Sequence, residues 1–251
     1  LVVDLKEFKE NNNSNKNFIL STLNMSCILI MIMVLTVGLL TPLSSTASTN
    51  STSSAEVSSK ILGNESLGWV TKEGPYGNPE SSKRIAYILG MHARESRSHN
   101  ATMALIRNNS ESLENCYYLY YINITQNTYD YYQGRLNGQK LAYKYVVPDV
   151  NSDNYSLVID VHASNGLYID TPYVFVPKND TRSLEITNNL SNTLDWLYYF
   201  DLPDPSSPEY CTLPIIENGT PAIIFEAYGS PNNTIKDQVN QFIWAVDQLK
   251  I

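Results

Sequence analysis

Two short apolar runs constrain the fold of this chain more than any other feature. Leu157–Val161 (LVIDV) is almost continuously apolar, and so is Pro221–Phe225 (PAIIF). Strands that are buried on both faces have this pattern, because helices cover both sides of a parallel sheet. Each run is followed at once by an ionisable residue, His162 and Glu226. The carboxyl end of such a strand is a usual place for a functional residue in an α/β protein.

Other strand and helix patterns alternate around these two runs. Patterns that are typical of strands occur at Arg84–Leu89, at Tyr117–Ile124 and, more briefly, at Tyr145–Val147. Helical spacing of apolar residues is found at Ser96–Arg107, Thr181–Tyr199 and Ile235–Leu249. This alternation predicts an α/β domain with a mixed, largely parallel central sheet flanked by helices.

Composition divides the chain into three parts. Residues 1–43 comprise a polar stretch and the uncharged apolar segment Cys27–Leu43, which predicts a signal peptide or a membrane anchor. Residues 44–60 are rich in Ser and Thr and are interpreted as a linker. Residues 61–251 are long enough to fold around one core. We therefore expect a single domain outside the cytoplasm, secreted or held at the cell surface.

The charge of the chain excludes one class of partner. The formal net charge is -8 and no cluster of Lys and Arg is present, so we expect no nucleic acid partner. Contact with a membrane is expected only through the N-terminal segment, if it is not cleaved. Repeated Asn-x-Ser/Thr triplets permit glycosylation of an exported chain. Cys116 and Cys211 are either one disulfide or two buried thiols.

The three histidines of the chain are informative because two of them follow predicted buried strands. His92 and Glu95 form an H-x-x-E pattern, which lets both side chains point to one site where a strand turns into a helix. Together with His162 they would supply two nitrogens and a carboxylate, leaving a fourth position for water on a zinc ion. Hydrolysis also needs a carboxylate that takes and returns a proton, and Glu226 is the best candidate.

Three segments in this order resemble a known family. The strings ILGMHARES, VIDVHASNG and IIFEAYG are similar to the signature segments of the zinc carboxypeptidases, the family related to pancreatic carboxypeptidase A. The resemblance covers roughly residues 83–251, and the Gly-x-His-Ala-Arg-Glu string is its most specific part. The gap between Glu95 and His162 is shorter than in the larger members of the family, so the resemblance implies a compact variant.

The resemblance implies a role for several residues. The resemblance to the zinc carboxypeptidases implies that one zinc ion is bound by His92, Glu95 and His162. It also implies that Glu226 is the general base. Arg94 would lie near a substrate subsite, although an exposed arginine that forms a salt bridge is the alternative.

The anchor for the substrate carboxylate departs from the family pattern. The family commonly uses an adjacent Asn-Arg pair in the gap after the first two ligands, and this chain has none there. The nearest substitute is the pair Arg135 and Asn137 in GRLNG, since a guanidinium binds a carboxylate through two hydrogen bonds. The same string is also typical of an ordinary turn.

Several further residues have a weaker connection to the predicted site. We expect His99 to be structural or to support a ligand from behind. Asp160 lies on the same strand face as His162 and could orient it. The family also has a tyrosine that reaches over the substrate; the candidates in range, which aromatic packing explains equally well, are Tyr198, Tyr199, Tyr210 and Tyr228.

Three functions are compatible with these features. The first is an extracytoplasmic zinc carboxypeptidase that acts on a peptide. The second is a zinc amidohydrolase of the succinylglutamate desuccinylase and aspartoacylase type, which acts on an N-acyl amino acid. The short gap favours this amidohydrolase, whereas the His-Ala-Arg-Glu string favours the peptidase. The third is a non-catalytic surface glycoprotein on the same fold.

Overall fold

A computed structural model of the protein describes residues 56–201, 207–229 and 234–251. The predicted signal peptide or anchor and most of the predicted linker lie outside these residues. The strands are β1 (Ser58–Glu65), β2 (Gly68–Gly77), β3 (Arg84–Leu89), β4 (Cys116–Ile124), β5 (Leu157–Ala163), β6 (Tyr173–Phe175), β7 (Tyr198–Tyr199) and β8 (Ala222–Ala227). The helices are α1 (Ser96–Asn108), α2 (Tyr131–Leu141), α3 (Val147–Ser152), α4 (Thr181–Thr193), α5 (Thr212–Glu217) and α6 (Ile235–Asp247). None of these helices has the length and apolar character needed to cross a bilayer.

The strands form one sheet in the order β1-β2-β4-β3-β5-β8-β6-β7. The four central strands, β4, β3, β5 and β8, are mutually parallel. Antiparallel pairing occurs on both sides of this centre, between β1, β2 and β4 and between β8 and β6. The predicted mixed, largely parallel α/β sheet is therefore confirmed. Strand β1 begins at Ser58, within the range whose composition suggests a linker, because its backbone pairs with that of β2 and the Ser58 hydroxyl donates to the Gly74 carbonyl.

Both faces of the central strands are buried, as their apolar sequences require. Every residue of β5 up to His162 is buried, and the same holds for β8 up to Phe225. Phe225 stacks on Phe242 of α6 with ring centroids 3.9 Å apart. Cys116 and Cys211 are buried free thiols, so the disulfide alternative is wrong.

Two predicted elements differ from the structure. Tyr145–Val147 is not a strand, since Tyr145 and Val146 belong to a wide helical turn and Val147 is the first residue of α3. Val146 and Val147 are buried there, so packing against the core overrides their preference for strands. The helix predicted at Thr181–Tyr199 ends at Thr193. Tyr198 and Tyr199, the last two residues of the predicted range, instead form β7, which pairs with β6.

Candidate metal centre and substrate pocket

Adjacent parallel strands bring the predicted site residues together. Strands β3, β5 and β8 are neighbours, so their carboxyl ends lie at one edge of the sheet. His92 follows β3, Glu95 ends a short 3-10 turn, and His162 is the second-last residue of β5. Glu226 of β8 is the register partner of His162. Three segments that are distant in sequence therefore meet at one edge.

Gly90 makes the turn that directs His92 into this edge. Its φ is +86°, in the left-handed region that favours glycine. A side chain here would collide with the backbone carbonyl of Ile122 on the neighbouring strand. The glycine of the Gly-x-His string is thus required both by its conformation and by close packing.

The two histidines present the same ring nitrogen to Glu95. His92 Nδ1 is 3.0 Å from Glu95 Oε1, and His162 Nδ1 is 2.8 Å from Glu95 Oε2. The ligand atoms of the three residues all lie within 4.8 Å of one another. Two imidazoles and a carboxylate form a donor set that catalytic zinc uses. The residues present therefore fit a zinc ion, and we call His92, Glu95 and His162 the triad.

The far side of each imidazole distinguishes the two ligands. His162 Nε2 faces Asp160 Oδ1 at 3.1 Å, although the two atoms are not aligned as a full hydrogen bond. Thr212 Oγ1 donates to the other oxygen of Asp160 at 3.1 Å. A proton on Nε2 of His162 leaves the lone pair of Nδ1 free for a metal. His92 Nε2 is buried and has no partner among the described residues.

Burial and mutual charge shift the pKa values of the triad. Burial lowers the pKa of His92 to about 4, against the opposing effect of Glu95. Burial acts the same way on His162, but the Asp160 and Glu95 carboxylates outweigh it and raise its pKa well above the usual value. Burial would raise the pKa of Glu95, yet the two histidines hold it well below 4.5. Binding of a metal must therefore displace a proton from His162.

Glu226 is a carboxyl group with a raised pKa. Burial raises its pKa to about 8, opposed by the charge of His162. Such a group is suited to taking and returning a proton near neutral pH.

A pocket of about 290 Å³ opens beside the triad. Its lining combines charged, polar and aromatic side chains, namely Arg94, Glu95, Tyr131, Arg135, Ala163, Ser164, Asn165, Leu167, Tyr168, Tyr173 and Glu226. Arg94 and Arg135 are the cations of this lining. The pocket therefore joins the carboxylates of Glu95 and Glu226 to two groups that can bind an anion.

Helix α2 places Arg135 in the pocket lining but directs Asn137 away from it. Its residue Gly138 contacts the backbone carbonyl of Met91 so closely that no side chain would fit, which brings the helix against the loop that carries His92. Arg135, one turn earlier, places Nη1 3.1 Å from Glu95 Oε1. Asn137 is buried and donates to the Gln126 carbonyl at 3.0 Å, away from the pocket. The GRLNG string is thus part of a helix and not a turn.

The remaining predicted residues lie outside the pocket lining. His99 is buried and its Nε2 is 2.9 Å from the Val161 carbonyl, so it ties α1 to β5. None of the four tyrosines selected from the sequence lines the pocket. The tyrosines that do are Tyr131, Tyr168 and Tyr173. The aromatic stretch Tyr129–Tyr132, just before Arg135, is a sequence signal for Tyr131, whereas no pattern in the sequence indicated Tyr168 or Tyr173.

The sequence matches no protein-family profile and no curated protein. A metallo-carboxypeptidase from Burkholderia cenocepacia has a TM-score of 0.50 and 10% identity, covering 77% of this chain and 64% of that chain. An aspartoacylase family protein from Mesorhizobium loti has a TM-score of 0.47 and 13% identity, covering 77% and 61%. A succinylglutamate desuccinylase/aspartoacylase from Rhodobacter sphaeroides has a TM-score of 0.47 and 11% identity, covering 76% and 64%. The chain spans less than two thirds of each.

The likeness to the Burkholderia protein shows the fold, which is that of the metallo-carboxypeptidases. On this fold the chain carries a His-Glu-His group able to hold a metal ion.

Proposed function

We propose that the chain is a zinc-dependent hydrolase that cleaves the C-terminal bond of a peptide or the amide bond of an N-acyl amino acid. One observation carries the proposal: the triad converges at the carboxyl ends of parallel strands, with Glu226 in register beside it and a pocket open to both. A structural metal site would be closed by a fourth protein ligand, whereas this triad borders a pocket.

Each residue of the site has a defined task in this reaction. The triad would hold the zinc, which when bound polarises a carbonyl and lowers the pKa of a water molecule toward ~7. Glu226 takes the proton of the attacking water and returns it to the leaving nitrogen.

The two arginines support a substrate with a carboxylate next to the scissile bond. Both a C-terminal residue and an N-acyl amino acid have this group. Arg135 is engaged with Glu95, whereas Arg94 takes part in none of the ion pairs of the described residues. Arg94 is therefore the first candidate for the carboxylate, with Arg135 within the same pocket.

The size of the pocket favours the amidohydrolase alternative. About 290 Å³ is at the lower limit of ordinary ligand pockets. An N-acyl amino acid fits such a volume, while a longer peptide would have to extend over the rim. The short chain between Glu95 and His162 supplies few loops that could form further subsites.

We also propose that the enzyme works outside the cytoplasm. The apolar segment Cys27–Leu43 supports this proposal. A reporter that is active only after export, fused behind residue 60, should be active; a reporter that stays silent would contradict export.

The test of the proposed function is hydrolysis by the purified, zinc-loaded chain. The panel contains blocked dipeptides and N-acyl amino acids, and Glu226→Gln is compared with Glu185→Gln, which changes an exposed glutamate of α4. We expect turnover by the wild type and by the Glu185 variant, and almost none by the Glu226 variant. The preferred substrate then decides between peptidase and amidohydrolase. Zinc binding without turnover of either class would favour the non-catalytic alternative.

A further inference from the structure

Tyr173 stands directly opposite the proposed general base. It is the first residue of β6, and β6 runs antiparallel to β8, so that Tyr173 is the register partner of Glu226. Directly opposed residues in an antiparallel pair have their side chains on the same face of the sheet, about 4.5–5.5 Å apart at their Cβ atoms. Both side chains line the pocket. The phenol and the carboxyl therefore approach the same substrate from adjacent strands.

Packing holds the ring of Tyr173 in one place. The residue is 1% exposed, although its side chain lines the pocket. Its ring centroid lies 5.5 Å from that of Phe200, in an edge-on arrangement, and 6.1 Å from that of Phe175. A donor that is fixed before the reaction begins needs no reorganisation when charge develops.

The hydroxyl of Tyr173 remains a neutral donor. Its pKa is raised above the usual value, chiefly by burial and then by the charge of Glu226, while a polar contact with Ser164 acts in the opposite direction. The phenol therefore keeps its proton at neutral pH.

The other donors of the pocket are less suited to the reacting carbonyl. Tyr131 and Tyr168 are 42% and 52% exposed, which places them at the mouth. Arg135 is paired with Glu95. Tyr173 alone among the three tyrosines of the lining is buried beside Glu226.

We propose that Tyr173 is a catalytic residue whose hydroxyl donates a hydrogen bond to the carbonyl oxygen of the scissile bond, an inference that rests on the proposed hydrolase function. The water oxygen adds to the carbonyl carbon while Glu226 takes the water proton. The π electrons of the carbonyl move onto its oxygen, and the Tyr173 hydroxyl stabilises this charge without losing its own proton. The bond strengthens as the charge grows, so that it favours the transition state over the substrate.

The main test compares Tyr173→Phe with Tyr198→Phe in the zinc-loaded chain. Tyr198 is the register partner of Tyr173 on β7, is 53% exposed and does not line the pocket, so it controls for removing a hydroxyl at this edge of the sheet. We expect kcat to fall about 10²-fold in Tyr173→Phe, as for the loss of one oxyanion donor, with KM and zinc content unchanged. Tyr198→Phe should match the wild type. Equal kcat in Tyr173→Phe and the wild type would overturn the proposal while leaving the hydrolase function intact.

A binding measurement separates this role from a structural one. A phosphonate analogue of the best substrate mimics the tetrahedral arrangement, and its affinity should fall in Tyr173→Phe by about the same factor as kcat/KM, whereas the affinity for the carboxylate product should not change. Tyr173→Leu, which also removes the ring packing, should lower the melting temperature as well. If Tyr173→Phe binds both ligands like the wild type, or loses affinity for both equally, Tyr173 is not the donor. If the wild type hydrolyses nothing, the hydrolase function fails first and the inference fails with it.

Discussion

Two clusters of charged residues on the central sheet are built differently. The triad and Glu226 lie at the carboxyl ends of β3, β5 and β8. The second group, which we call the lysine cluster, consists of Lys72, Arg84, Asp149, Asp153, Tyr120 and Tyr155. In the lysine cluster Lys72 Nζ is 2.8 Å from Asp149 and 2.6 Å from Asp153. Arg84 is 3.0 Å from Asp153, and Tyr120 donates to Asp149 at 2.7 Å.

The difference lies in what each cluster leaves unused. The lysine cluster balances two cations against two carboxylates, and tyrosine rings surround its ammonium group at 5.2–5.7 Å. The triad has an imidazole nitrogen of His92 without a partner among the described residues, and a neighbouring carboxyl whose pKa is raised to about 8. A balanced cluster stabilises the fold, whereas an unbalanced one beside a pocket is organised for a ligand.

The largest expected effect is on the rate of hydrolysis. Glu226→Gln should lower kcat by about 10³-fold, because general acid-base catalysis contributes 10²–10⁴-fold. The variant should bind zinc like the wild type, since Glu226 is not in the triad. Steady-state kinetics together with metal analysis of the same samples check this. A variant that keeps full activity would remove Glu226 from the reaction and break the comparison between the two clusters.

The lysine cluster should affect stability and not function. Lys72→Met should lower the free energy of unfolding by about 2–3 kcal/mol, because it leaves Asp149 and Asp153 short of a cation. The cost is smaller than for a fully buried pair because these side chains are 16–27% exposed. Lys144→Met removes an exposed pair with Glu65 and should leave the free energy of unfolding nearly unchanged. Urea unfolding measures both. Loss of zinc in Lys72→Met would show that the clusters are not independent.

Asp160, which faces the far side of the His162 ring, should affect the zinc affinity of the triad. Asp160→Asn should weaken zinc binding about 10–100-fold, because the residue behind a metal-binding histidine fixes its orientation and proton. Asp195→Asn, an exposed change on the same chain, is the control. Competition with a chromophoric chelator measures the affinity. An unchanged affinity would mean that the contact of Asp160 with His162 is structural only.

The smallest expected effect is a pH dependence of the metal-free chain. Glu226 ionises near 4.5 when unfolded and near 8 when folded, so folding takes up a proton between these values. Its contribution to stability is therefore present below pH 4.5 and is lost as the pH rises toward about 8. In chelator, the stability of Glu226→Gln relative to the wild type should be higher at pH 8.5 than at pH 4, as measured by urea unfolding at both pH values. The opposite order would contradict a raised pKa.

The sequence was most informative where the signal is local. A continuous apolar run followed by an ionisable residue predicts both a buried strand and the position of the residue at its end, which is how His162 and Glu226 could be located. The H-x-x-E string likewise predicts that His92 and Glu95 face one site, because both lie in one short turn.

Other parts of the site depend on contacts between distant segments. Arg135 reaches the pocket because Gly138 lets α2 approach the loop before His92, and no local pattern shows this approach. Tyr173 lies opposite Glu226 only through the register of a three-residue strand. The strand predicted at Tyr145–Val147 was wrong for the same reason, since the burial of two valines in a helical turn is decided by the core around them.

The most direct test of the triad as a metal centre is the zinc content of the purified chain, measured for the wild type and for His162→Ala at the same protein concentration. We expect about one zinc per chain in the wild type and a loss of at least 10²-fold in affinity in the variant, with both chains folded by circular dichroism. A folded wild type that binds no zinc when the ion is supplied would contradict the central claim that the triad is a metal centre.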